Sequence, residues 1–375
     1  MRIGIDATAL PPQPVGAGNY IIHLIRAMAG LYTEDEFVIF THKQGFSLID
    51  LPDSAGFTWE ILEDSSPGSR LIWEQTLFPQ LVYKSGIELL HSLHYTRPVR
   101  LPCKSVVTFH DMTFFLFPDL HTRSKRFFFP QAIKLSARRA DALTAVSEST
   151  RQDAIRLLKI PPEKITTTHL GIDSSFRPIG DTSGIRQSVE RYGLPERYLL
   201  YVGLIEPRKN LPMLVNAFKK FNEKQGDYKL VLAGRFGWMY EELLEQIKRL
   251  GLEQAVHFTG YVPQKDLPLV YNLSSLFVYP TIYEGFGLPV LEAMACGVPV
   301  ISTDTSSLPE IVGEAGILIP RDDAAALLNA IETVLGDEDL RRELIRKGLT
   351  RAARFSWQQT AKLTYQVYQK VLMPA

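Results

Sequence analysis

Hydrophobic and polar positions along this chain follow two rhythms. Runs of five to seven residues rich in β-branched and aromatic side chains recur between longer stretches whose apolar residues fall at helical spacing. The pattern predicts strands at 2–6, 36–41, 58–62, 88–93, 105–110, 142–147 and 165–170. The chain then turns polar and irregular through about residue 183, where Pro178, Gly180 and Gly184 mark a linker. The alternation restarts with strands at 198–203, 228–234, 256–260, 276–281, 298–303 and 316–320, separated by helices such as 211–223, 239–250 and 324–335. Strands alternating with amphipathic helices argue for parallel sheets covered on both faces. The predicted class is therefore α/β, with two successive doubly wound, Rossmann-like domains at 1–180 and 181–355, followed by a last helical segment at 356–375. In such domains the ligand sits outside the carboxyl ends of the strands.

Composition narrows the picture. A chain of 375 residues exceeds one ordinary core, and 41 basic against 41 acidic side chains leave no global field to attract nucleic acid. Two cysteines far apart give no disulfide framework, so a reducing, cytoplasmic setting is expected. The opening "MRIGIDATAL" is β-like rather than a signal peptide, and no apolar run reaches the length of a membrane span. One local asymmetry stands out: residues 97–139 carry nine basic side chains against two acidic ones, a net of +7. Within it, "RSKRFFFPQAIKLSARRA" admits two readings. It is either a solvated helix whose phenylalanines pack inward, or a surface for peripheral contact with an anionic membrane.

Four places carry candidate chemistry. After the first strand, Gly16 and Gly18 open a helix whose N-terminal N–H groups suit a phosphate. Ile21 occupies the third-glycine position of a dinucleotide fingerprint, so a merely structural turn is equally compatible. After "YVG", Arg208 and Lys209 stand between a strand and a helix, placed to neutralise a pyrophosphate or simply solvated. His110 and Asp111 end a buried-looking strand. The histidine could bond a sugar hydroxyl, and the aspartate could fix its tautomer or face the acceptor. In "YEGFGLPVLEAMAC", Gly285, Gly287 and Pro289 delay helix formation. Glu284 is then expected on a loop, Glu292 in the first turn of a helix from about Pro289, and the N–H groups of Phe286, Gly287 and Leu288 at its positive end. Two carboxylates beside such amides fit a polyol with an anion attached, as a nucleotide sugar presents; the plainer reading of Glu292 is compensation of the helix dipole.

Together the Gly loop, the His-Asp pair, "AVSEST", "HLGID", "VGLIEPRKN", "FTGYVP" and the paired glutamates resemble the GT4 family of retaining glycosyltransferases, over nearly the whole chain. "EPRKNLP", "AGRFGW" and "TIYEGFGLPVLEAMACGVPVIST" look closest to its branch of bacterial O-antigen mannosyltransferases. The resemblance implies the GT-B architecture, with the last helix crossing back to the first domain and closure of the two domains around the donor. It also implies that Gly16, Gly18, Arg208 and Lys209 meet the donor phosphates. Glu284 and the amides of 286–288 would meet the sugar, Glu292 the ribose, Tyr261 and Val262 the base, and His110 the reacting centre. One departure is Leu204, where many members carry an arginine. The implied activity moves a hexose with retention from GDP-mannose, or from a UDP sugar, to a glycan or lipid-linked acceptor in cell-envelope polysaccharide synthesis. It needs no cofactor and no metal. The D-x-D string at 337–339 reads as an acidic helix start. A Rossmann-type NAD-dependent oxidoreductase and a non-catalytic sugar-binding module are the competing classes.

Overall fold

The computed structural model describes residues 1–32, 34–51, 56–63, 67–180 and 190–373. They form two compact units, one of residues 1–171 and 356–375, the other of 172–355. Each is built on a wholly parallel sheet; a strand inside it such as Tyr198–Val202 is buried at every position, whereas Phe57–Leu62 at one edge largely alternates between half-buried and exposed residues.

In the first unit the strands are β1 (Arg2–Asp6), β2 (Glu36–His42), β3 (Phe57–Leu62), β4 (Leu89–Ser92), β5 (Lys104–Phe109), β6 (Ala142–Ala145) and β7 (Ile165–Thr167). They are arranged in the order β3-β2-β1-β4-β5-β6-β7. The order reverses between β1 and β4, and the carboxyl end of β1 feeds the loop that enters helix Ala17–Leu31. A buried polar chain crosses this core. Thr108 Oγ1 lies 3.0 Å from Tyr20 Oη, 2.8 Å from Thr144 Oγ1 and 2.8 Å from His91 Nε2, while His91 Nδ1 lies 2.6 Å from Tyr368 Oη. Burial pushes the His91 imidazole down to about 3, so the ring stays neutral and one nitrogen accepts. Tyr368 belongs to the helix Trp357–Leu372, which is capped by Ser356 and packs on Ala17–Leu31 through stacked Tyr32 and Tyr365 and stacked His23 and Trp357. Gly171 lies so close to the Trp357 backbone that a Cβ there would meet its nitrogen at 2.0 Å.

In the second unit β8 (Tyr198–Val202), β9 (Lys229–Ala233), β10 (Val256–Gly260), β11 (Leu276–Tyr279), β12 (Val300–Thr303) and β13 (Ile317–Ile319) take the order β10-β9-β8-β11-β12-β13. The reversal falls between β8 and β11. The chain divides at residue 171 rather than 180 because 172–179 is bound to this second unit. Phe176 packs on Tyr271, Asn272 Nδ2 donates to Arg177 O, and Ile179 N–H donates to Asn272 Oδ1. Gly184 lies outside the described residues. The helix expected from Met239 begins at Glu241, since Met239 takes a left-handed φ of 54° that a helix cannot contain. Asp337 caps helix Glu338–Ala352, accepting from the N–H groups of Asp339 and Leu340 at 3.0 Å each. Among the described residues no three His, Cys, Asp or Glu side chains converge to hold a metal ion, and no helix is long and apolar enough to cross a membrane.

Candidate active site

The second unit gathers its chemistry at the strand-order reversal. The segment after β8 folds as a short turn, Pro207–Lys209, and delivers Glu206, Arg208 and Lys209. The segment after β11 delivers Thr281 and Glu284. Three donors converge on Glu284 Oε1: Lys209 Nζ at 2.6 Å, Thr281 Oγ1 at 2.9 Å and Arg208 Nη1 at 3.0 Å. Arg208 also donates to Tyr283 O at 2.7 Å and pairs with Glu206 Oε1 at 2.8 Å. Lys209 adds a bond to Tyr279 Oη at 2.9 Å. The Glu284 backbone is fixed by its N–H to Ser306 Oγ at 2.8 Å, and Ser307 Oγ donates to the carbonyls of Glu284 and Phe286.

Charge follows from this geometry. Burial by itself would raise the Glu284 carboxyl, but Arg208 and Lys209 overrule it and hold it at about 2, so it is an obligate acceptor at neutral pH. Burial and the adjacent Arg208 draw the Lys209 ammonium down. The two cations are not equivalent. Lys209 is buried beneath Glu284 and Tyr279, whereas the Arg208 side chain keeps 19% of its surface open. Of the pair expected to meet phosphate, Arg208 is the accessible one and Lys209 positions Glu284.

Glu292 occupies a separate network. Helix Leu288–Ala295 is preceded by Gly287 at φ 102°, so Glu292 falls in the second turn rather than the first and does not compensate the helix dipole there. Its side chain is buried, Tyr271 Oη donates to Oε2 at 2.9 Å, and burial, opposed by Tyr271 and Gln264, raises it to about 7. The two glutamates of one motif are therefore shifted in opposite directions, Glu284 held ionised by its cations and Glu292 pushed towards the neutral form by burial. Leu288 N–H lies in the first turn of the helix, where N–H groups have no acceptor inside the helix. Tyr261 and Val262 follow β10, with Val262 buried and the Arg235 guanidinium 5.5 Å above the Tyr261 ring.

The first unit holds the other candidates. Gly16 takes φ 46° with no atom within 4 Å of where its Cβ would stand, which leaves room for a ligand. Gly18 is hemmed in by Pro14 and Pro11, at 2.8 and 3.2 Å from its Cβ position, so loop packing alone demands a glycine. His110 Nε2 lies 2.8 Å from Leu93 O, which makes Nε2 the protonated nitrogen. Burial lowers its basicity, against the pull of Leu93 O and Asp111. Asp111 does not set this tautomer: its Oδ1 accepts from Thr113 N–H at 3.0 Å and Thr113 Oγ1 at 2.7 Å. Sequence reasoning did not single out Glu206, Tyr279, Thr281, Tyr271 or Ser306. Glu206 was the accessible one, two residues ahead of Arg208 in the same loop; buried strand tyrosines that need a partner for their hydroxyl were a second signal.

Two doubly wound units, one of which presents cations, an ionised carboxylate and helix-terminal amides at its switch point, define a class of nucleotide-handling transferases. Residues 14–176 match the family described as Glycosyltransferase Family 4, and residues 186–351 match Glycosyl transferases group 1. O-antigen chain mannosyltransferase B of Escherichia coli is 36% identical over 282 residues, covering 75% of this chain and 74% of that protein. The serotype-specific mannosyltransferase WbdA of E. coli is 33% identical over 305 residues, which is 78% of this chain and 37% of WbdA. Among solved structures, sucrose-phosphate synthase of Thermosynechococcus elongatus superposes with a TM-score of 0.79 at 22% identity over all of both chains. HepE of Anabaena, solved with UDP and glucose, gives 0.77 at 20% identity over 98% of this chain and 99% of its own. The chain belongs to the GT4 family of retaining glycosyltransferases and has the GT-B fold.

Proposed function

We propose that this glycosyltransferase moves mannose from GDP-mannose to a glycan or lipid-linked glycan acceptor in cell-envelope polysaccharide synthesis, at the cytoplasmic face and with no metal cofactor. The observation that carries the donor site is the convergence of Arg208, Lys209 and Glu284 at the switch point of the second sheet. The mannosyl assignment is supported by the named activities of the E. coli relatives.

In this reading Arg208 meets the departing diphosphate together with the amides of Phe286, Gly287 and Leu288, an electrostatic arrangement aimed at charge that grows as the bond breaks. Lys209 holds Glu284 in place, and its third N–H is available to the phosphate, since an ammonium has three donors. Ionised Glu284 accepts from sugar hydroxyls, Glu292 from the ribose, and the backbone at Tyr261 and Val262 meets the base. Gly16 lets phosphate approach the first unit's backbone. Neutral His110, with Nε2 turned to Leu93, offers Nδ1 to a hydroxyl of the reacting sugar, and Asp111 belongs to the acceptor side. The acceptor attacks the face from which the diphosphate departs, and a phosphate oxygen takes its proton.

A panel of nucleotide sugars tests this by thermal stabilisation and by hydrolysis. At about 100 times its Kd the right donor adds about 2.7 kcal/mol of stability. GDP-mannose is expected to lead the panel, and Arg208→Ala to cut its turnover by on the order of 10² to 10³. A UDP sugar in first place would change the donor. Binding of NAD with no response to any nucleotide sugar would refute the activity.

A further inference from the structure

Helix Arg123–Arg139 is seated on the first unit by Ile133, Ser136 and Ala137, which are buried, and by Phe129, stacked on Phe114 at 4.3 Å. Only one of the three consecutive phenylalanines therefore packs inward. With about 3.6 residues per turn, the opposite face carries Phe127, Phe128, Gln131 and Leu135. Phe127 is 78% exposed, Phe128 40% and Leu135 39%. Exposed Arg123, Lys134 and Arg138 flank this apolar ridge on one side, exposed Lys125 and Arg139 on the other. Arg126 is paired with Asp119 at 2.7 Å, and the helix contains no acidic residue.

We propose that this face docks the first unit on an anionic lipid bilayer, with Phe127 and Phe128 at the level of the headgroups and the flanking cations on lipid phosphates. A ridge of rings bracketed by cations matches the cross-section of a bilayer surface, apolar below and anionic above. Nucleic acid would satisfy the cations but gives Leu135 nothing to bury against. A second copy of the chain would set like charges face to face. The docking stands on this surface alone; its purpose rests on the reading of a lipid-linked acceptor, because an enzyme held at the bilayer meets such an acceptor in two dimensions.

The test is co-sedimentation of the full chain with phosphatidylcholine vesicles that contain, or lack, about one third phosphatidylglycerol. Binding is expected to the anionic vesicles only, and to weaken as salt rises from about 50 to about 500 mM, where screening is nearly complete. Phe127→Ser with Phe128→Ser should weaken it about tenfold. Arg123→Glu, Lys125→Glu and Arg138→Glu together should weaken it by on the order of 100-fold or more. All these positions are exposed, and circular dichroism verifies that each variant is folded. Equal binding to neutral vesicles, indifference to both variants, or tighter retention by a single-stranded oligonucleotide than by anionic vesicles would each overturn the docking. Nucleotide-sugar hydrolysis, assayed without vesicles, separates the two readings and is expected to be unchanged in both variants. Vesicle binding with no hydrolysis of any nucleotide sugar sinks the proposed function alone; hydrolysis with no vesicle binding sinks the docking alone.

Discussion

At the scale of the residue, environment rather than identity sets what each glutamate does. Glu284 is paired with two cations and stays ionised, while Glu292 meets only neutral donors and is raised to about 7. A carboxyl whose folded pKa lies above its unfolded value of 4.5 stabilises the fold fully below that value, and the contribution is lost as pH rises through about 7. At 1.36 kcal/mol per unit this amounts to roughly 3 kcal/mol. Glu292→Gln keeps an acceptor for Tyr271 and does not titrate. Urea unfolding between about pH 4.5 and 7.5 should therefore show the variant losing less stability with pH than the parent; parallel curves would mean that Glu292 is ionised throughout. These opposite shifts were not legible in the motif, where the two residues look alike. Their partners come from elsewhere: Lys209 is 75 residues from Glu284, and Tyr271 is 21 from Glu292. The inward turn of Lys209 was hidden for the same reason.

At the scale of the element, legibility follows burial. The strands could be read because parallel strands covered on both faces are near-continuous apolar runs, and β8, "YLLYV", is buried at every position. Helix starts were read less well where one backbone conformation decides them. Met239 postpones one helix, and Gly287 shifts another by a residue and so moves Glu292 into the second turn. Two glycines make the point with opposite signs. Gly287→Ala forces a side chain into φ 102° with its Cβ 2.8 Å from Leu308 Cδ2, and should cost about 1–3 kcal/mol and weaken donor binding. Gly30→Ala, inside helix Ala17–Leu31 with nothing near its Cβ position, should add about 0.5–1 kcal/mol. Melting temperatures of the two variants should move in opposite directions, by several degrees in the first case. A stabilised Gly287→Ala would show that the helix can start without the left-handed turn.

At the scale of the whole molecule, the first unit is completed only by the helix Trp357–Leu372. Trp357, Ala361, Thr364 and Tyr368 are buried, and Tyr368 supplies the hydroxyl at His91 Nδ1. Tyr368→Phe removes that hydroxyl from a buried, neutral ring and should destabilise the chain by about 1–3 kcal/mol, the cost of stranding a buried polar group. Denaturant midpoints of the two proteins measure this; an unchanged midpoint would mean that water replaces the hydroxyl. The discontinuity also governs the order of events during synthesis. Segments usually fold as they leave the ribosome, the earlier ones first. Here the earlier unit must wait with an uncovered helix and with His91 Nδ1 lacking its Tyr368 partner while residues 172–355 are made. The last helix then closes a unit begun more than 300 residues before. A nascent chain interrupted short of that helix carries an exposed apolar seam on its first unit, which surveillance by chaperones and proteases can tell from a chain in which the helix has docked.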